Sequence, residues 1–158
     1  MKMLTILSLL VLSFSWAQAA NHSADDDYAV GVILGDPTGL SAKMKLNNEH
    51  SLDGALAYSS GRHHGTQIHS DYLWDRARSW ETTQGPLYMY YGLGGRLISY
   101  TDKDDHSQIS LGPRGSLGLD FNIFNPNIEL FGELALILEV VPSITADVDA
   151  GIGARIRF

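Results

Sequence analysis

Cysteine is missing from this chain of 158 residues. Its absence excludes disulfide staples, thiolate metal sites and a lipid-modified N-terminal cysteine, and it is compatible with an oxidising, exported compartment. Positive charge is scarce as well: 11 Lys and Arg stand against 18 Asp and Glu, a formal net charge of −7, and no basic cluster occurs. An acidic chain of that kind lacks the electrostatic footprint of a nucleic-acid binder. Long apolar runs are also missing. After the first residues the longest extends from Leu134 to Leu138, far short of the ~20 residues that a spanning helix requires. A membrane role must therefore be carried by strands.

What is present begins with MKMLTILSLLVLSFSWAQA. Lys2, an apolar stretch from Leu4 to Trp16 and the small-x-small site Ala17-Gln18-Ala19 predict a secretory signal over 1–19, cleaved before Ala20. A retained anchor is the weaker alternative, because the apolar stretch is too short to span. Removing the segment takes away Lys2 and no acid, so the mature chain over 20–158 is more acidic still. That length suits one domain around one core. No fixed-period repeat, low-complexity tract or linker divides it, and Asp25 to Asp27 read as a solvated lead-in.

Eight stretches then alternate with a period of two: Tyr28 to Gly35, Gly39 to Leu46, Leu52 to Ser59, Gln67 to Asp75, Leu87 to Ser99, Ile109 to Asp120, Ile128 to Glu139 and Asp147 to Phe158. Between them lie GDPTG, NNEHS, GRHHGT, the longer RARSWETTQGP, YTDKDDHSQ, FNIFNPN and VVPSITAD. Gly, Pro, Asn and Asp gather there because they tolerate the dihedrals of turns.

Charge falls on one face of each strand. Lys43 and Lys45 share parity with Ser41, opposite Leu40, Ala42, Met44 and Leu46; Glu129, Glu133 and Glu139 oppose Ile128, Leu130, Gly132, Leu134, Leu136 and Leu138. Arg96 goes with Tyr88, Tyr90, Gly92 and Gly94, while Arg114 and Asp120 go with Gly112, Ser116 and Gly118. In the last strand Asp147, Asp149, Arg155 and Arg157 alternate with Val148, Ile152 and Ile156. Soluble sheets alternate too, so alternation alone decides nothing. Glycine discriminates, because it accompanies the charges, as expected where long ionised side chains share a narrow interior. A soluble barrel for an apolar ligand needs the reverse. Tyr72, Trp74 and Phe158 fall on outward parity near one rim, joined by Tyr28 and Phe121, as an interfacial girdle would.

These features predict an all-β fold, an eight-stranded antiparallel up-and-down transmembrane β-barrel in the outer membrane of a Gram-negative bacterium. A strand of about twelve residues, tilted near 45°, covers roughly the 25 Å apolar band of such barrels. Eight strands leave an interior just wide enough to be filled by side chains. An even count returns both chain ends to the periplasm, which puts GDPTG, GRHHGT, YTDKDDHSQ and VVPSITAD outside.

The stretches GDPTGLSAK at 35–43, DYLW at 71–74, PLYMYYGLGGR at 86–96 and the closing DVDAGIGARIRF resemble an uncharacterised, domain-of-unknown-function family of small exported barrels, similar in architecture to OmpA/OmpX-type eight-stranded barrels. The resemblance implies fold and location, and no catalytic residues. Phe158 also resembles the terminal signal by which the barrel-assembly machinery recognises its substrates. Two features depart from a clean small barrel. RARSWETTQGP is long for a periplasmic turn, and Pro113, inside the sixth strand, removes a ladder hydrogen bond and predicts a bulge or register change.

The inward charges form the candidate site: Lys43, Lys45, Arg96, Arg114, Arg155 and Arg157 against Asp53, Asp71, Asp120, Glu129, Glu133, Glu139, Asp147 and Asp149, with His69 among them. Nearly balanced and confined, they are expected to pair and block the interior. Glu129 with Arg157 illustrates such a pair. His69 and Asp71 share a face and could make an acid–base pair, but no serine with clear nucleophile context accompanies them; Ser59, Ser60, His63 and His64 read as loop residues. DKDDHSQ fails the EF-hand pattern, since counting from Asp102 puts Ser107 where Gly is needed and Pro113 where Glu is needed. GLGGR at 92–96 lies within a strand and is no phosphate loop. The expectation is a monomeric, lipid-embedded barrel with a structural or interaction role and no cofactor. A small pore, a lipid-modifying enzyme and a soluble periplasmic barrel are the alternatives.

Overall fold

The computed structural model describes residues 27–62, 64–83, 85–101 and 106–158. The predicted signal over 1–19, Asp25, Asp26, His63 and the acidic loop at Asp102 lie outside them. Eight strands follow in order: β1 (Tyr28–Asp36), β2 (Thr38–Lys45), β3 (His50–Ser59), β4 (Gly65–Thr82), β5 (Gly85–Thr101), β6 (Ser107–Phe124), β7 (Asn127–Glu139) and β8 (Thr145–Arg157). Each pairs antiparallel with the next, and β1 closes on β8 from Ala29↔Arg157 to Asp36↔Ala150. Within the barrel wall, closure leaves no edge strand exposed. The fold is thus the all-β, eight-stranded up-and-down barrel that the alternation predicts.

Residues of opposite parity lie in opposite surroundings. Leu134 is 59% exposed and Ile152 67%, whereas Asp71 is 1% and Arg155 2% exposed. Charged side chains fill the barrel and large apolar ones coat it. The interior is not wholly polar, however. Ile33, Ala55 and Phe131 form a small apolar cluster within it, and Leu73, Ile98 and Ile137 are also buried.

Two inward aromatic rings lie over glycines on the neighbouring strand. Tyr90 pairs with Gly118 and Phe131 with Gly153, and a Cβ at either glycine would run into the ring opposite. That close approach is a physical reason for glycine at these two positions; at Gly112 the close neighbour is the Leu138 carbonyl oxygen, and at Gly151 it is the Ile33 side chain.

The structure corrects the expected long turn RARSWETTQGP. β4 and β5 continue as a hairpin arm, with pairs from Arg78↔Met89 to Thr82↔Gly85, and Thr82 Oγ1 donates to Gly85 O at 2.6 Å across its tip. The register slips between Trp74 and Arg78, where Arg76 adopts a φ of 56°. From Arg76 to Thr82 the β4 half of the arm has no β3 partner, and its residues are exposed without alternation. Alternation disappears there although the ladder persists.

At Pro113 the expected register change occurs on one side only. Pairing with β5 runs unbroken through Gly95↔Pro113. Towards β7 the ladder stops at Arg114↔Ile137 and resumes at the isolated bridge Leu111↔Val141, so Gly112 and Pro113 face Leu138, Glu139 and Val140. The proline, lacking an N–H, sits in the interruption.

Candidate functional site: the charged interior

Four cations organise the interior. Nearest the end formed by the β1–β2, β3–β4, β5–β6 and β7–β8 connections, Arg96 on β5 reaches three acids. Its Nη1 donates to Asp149 Oδ1 at 2.8 Å, and its Nη2 donates to Glu139 Oε1 and Asp147 Oδ2, each at 2.7 Å. Gln67 Nε2 donates to the other Asp149 oxygen at 2.8 Å. Further in, Arg114 on β6 bridges Asp71 on β4 and Glu133 on β7, the latter at 2.5 Å, and the Tyr90 hydroxyl donates to Glu133 Oε2 at 2.9 Å.

Arg155 on β8 forms the next group. It pairs with Asp53 on β3, donates from Nη1 to Glu129 Oε1 at 2.7 Å and from Nη2 to Ser41 Oγ at 2.8 Å, and lies 3.8 Å above the Phe131 ring. Lys43 on β2 completes the series, with Nζ 2.7 Å from Asp120, 3.1 Å from Asp75 and 3.8 Å from Glu129. Each cation thus reaches at least one strand beyond its ladder neighbours, while Arg114 also pairs with Glu133 on adjacent β7 and Arg155 with Glu129 on adjacent β7. Their desolvation is offset because every buried guanidinium meets carboxylates with hydrogen-bond geometry.

The illustrative pair Glu129 with Arg157 is corrected. Glu129 lies opposite Arg155 in the β7–β8 register, whereas Arg157 donates from Nη2 to Ile123 O at 3.1 Å and lies 5.5 Å from the Phe124 ring at the mouth. Lys45 lines the same mouth. His69 and Asp71 are both buried on β4, but Asp71 is held by Arg114, and His69 Nδ1 lies 3.5 Å from Gln67 Nε2. Ser59 Oγ donates to Asp36 Oδ1 at 2.7 Å and the Ser60 amide to the same oxygen at 3.1 Å, so these serines tie down the first turn. Among the described residues no His, Asp and Glu cluster is arranged to hold a metal ion.

Ser41, Gln67, Tyr90 and Phe131 belong to the network although their formal charge does not announce them. Parity was the available signal, since Phe131 alternates in step with Glu129 and Glu133. On the outside, Trp74 lies 5.0 Å from Tyr72 and stacks on Tyr91 at 5.3 Å, His50 joins Tyr72 at 5.4 Å, and Tyr28 stacks on Phe158 at 6.3 Å. Phe121 also has outward parity, half-buried against the neighbouring strands. Tyr91 and His50 are thus additional members of this ring of aromatics.

The barrel matches a solved structure, the N-terminal β-barrel domain of OprF from Pseudomonas aeruginosa, with a TM-score of 0.60. The likeness is one of fold. It covers 83% of this chain and 96% of that domain at 17% sequence identity. No protein-family model and no curated protein sequence matches the chain.

Proposed function

We propose that this chain is an integral outer-membrane β-barrel of a Gram-negative envelope, whose ion-paired interior closes it and whose role is structural or interactive, exerted through its lipid-facing surface and outward loops. The observation that carries this reading is the inversion of burial, with Leu134, Leu136, Ile152 and Ile156 outside and Asp71, Glu133 and Arg155 inside. In water such a continuous apolar coat would be an aggregation surface; against acyl chains it is at its energetic optimum. Closure pairs the strands all round, which is the other requirement of a strand structure in lipid. The aromatic ring at Tyr72, Trp74, Tyr28 and Phe158 suits a membrane–water boundary.

A soluble barrel for an apolar ligand is disfavoured because the interior offers charge where such a ligand needs hydrocarbon. Fractionation combined with gel mobility before and after boiling tests the proposal. The protein is expected in the outer-membrane fraction, running faster unboiled than boiled. Recovery in the soluble periplasmic fraction without a heat-dependent shift would overturn it.

A further inference from the structure

At the end of the barrel where β1 begins and β8 ends, the interior widens into a cavity of about 560 Å3, within the range of small-ligand pockets. Its inner and outer parts differ in character. On the floor Lys43 is surrounded by Asp75, Asp120 and Glu129, and Glu129 shares Arg155 with Asp53. Carboxylates outnumber cations there. Two acceptors at this level, Asp120 Oδ1 and Asn122 Oδ1, are buried and accept no hydrogen bond from a described residue. Both side chains line the cavity from the inward parity of β6, and Asp120 is 4% exposed.

The rim is net positive, Lys45, Arg76 and Arg157 standing with Asp27. Arg76 and Arg157 border the opening, Arg76 lying 4.9 Å from the Tyr88 ring and Arg157 lying 5.5 Å from that of Phe124. Arg157 Nε is buried and donates to no described residue. Unused acceptors deep in the cavity and an unused donor at its mouth ask for a ligand that donates at one end and accepts at the other. Leaving such groups buried and unmatched is costly.

We propose that this cavity binds a zwitterionic amino compound of amino-acid to short-peptide size, its ammonium on Asp120 and Asn122 and its carboxylate towards Arg157 and Arg76. An ammonium has three donors and no acceptor, which suits paired oxygens; guanidinium groups suit carboxylates. An inorganic cation or a polyamine would leave the rim unmatched, and a simple anion would leave the floor unmatched. The inference stands on the cavity and does not depend on the membrane in which the barrel resides.

Isothermal titration calorimetry of the full chain folded in detergent, with the tripeptide Lys-Ala-Ala as probe, is expected to give a dissociation constant on the order of 1 mM. The tripeptide acetylated on both amines, and separately the one amidated at its C-terminus, should each bind about tenfold more weakly, because each loses a charge-assisted contact. Asp120→Asn should weaken the free tripeptide similarly. Asp120 also pairs with Lys43, so Asn122→Ala is the second variant; it spares those ion pairs and should weaken binding severalfold. Equal binding of free and acetylated tripeptide, or of the C-terminal amide, overturns the proposal, as does undiminished binding in Asn122→Ala or no heat up to about 20 mM tripeptide. A barrel that shows heat-modifiable mobility yet gives any of these results loses this inference and keeps its membrane assignment.

Discussion

Single side chains in this interior are held by partners that cannot be replaced one at a time. Arg155 serves Asp53, Glu129 and Ser41 together and covers Phe131. Arg155→Met keeps much of the volume but strands Asp53 in a buried site and leaves Glu129 with Lys43 at 3.8 Å, so it should cost about 3–5 kcal/mol. The midpoint of urea unfolding in lipid vesicles measures this, and an unchanged midpoint would contradict the pairing. Arg155→Lys should recover only part of the loss, because a point charge cannot reproduce the fork of contacts. Gly153 gives a second test at this scale. Gly153→Ala should cost about 1–3 kcal/mol through overlap with both the Phe131 ring and the Val32 carbonyl oxygen, and Phe131→Ala in the same chain should relieve only the part due to the ring, giving a positive coupling smaller than the full cost in a double-mutant cycle. Parity made the charged set legible in the sequence. The pairs were not legible, because Lys43 on β2 meets Asp120 on β6 and Arg96 on β5 meets Asp149 on β8.

At the scale of the strand, alternation exists only where the two faces see different media. β7 shows it throughout, with Leu134, Leu136 and Leu138 exposed and Glu133, Ala135 and Ile137 buried between them. Placed in a bilayer, Leu134→Arg near the middle of β7 should destabilise the folded barrel by about 2–4 kcal/mol. The same vesicle-based unfolding measures it, and no change would argue that this face does not meet lipid. The arm beyond Trp74 shows the converse. Its residues carry no alternation to betray a strand, so RARSWETTQGP reads as a loop, although backbone pairing continues to Thr82↔Gly85. The two-sided environment of a barrel wall is what the period-two pattern records, and hydrogen bonding alone leaves no such trace.

Over the whole molecule, the ion pairs run through the barrel from Arg96 near one end to Lys43 near the other. A wall of eight strands encloses little more space than its inward side chains occupy. Native barrels in a planar bilayer should therefore show negligible steady conductance. Arg114→Ala removes the cation between Asp71 and Glu133, and should produce measurable, cation-selective openings. A variant as silent as the native protein would mean that Arg114 does not control the blockade.

Local residue order sets the number of strands, the faces that carry charge, and the placement of large apolar residues on the opposite side. Those properties follow from a two-residue period and from glycine sharing the charged face, both of which are local. Tertiary structure decided the rest: Arg155 and not Arg157 as the partner of Glu129, the extension of β4 into an arm, the one-sided slip beside Pro113, and the cavity with its unused acceptors. The reason is closure. Joining β1 to β8 fixes the stagger of every ladder at once and brings together side chains from distant strands, and no short stretch of sequence encodes that sum.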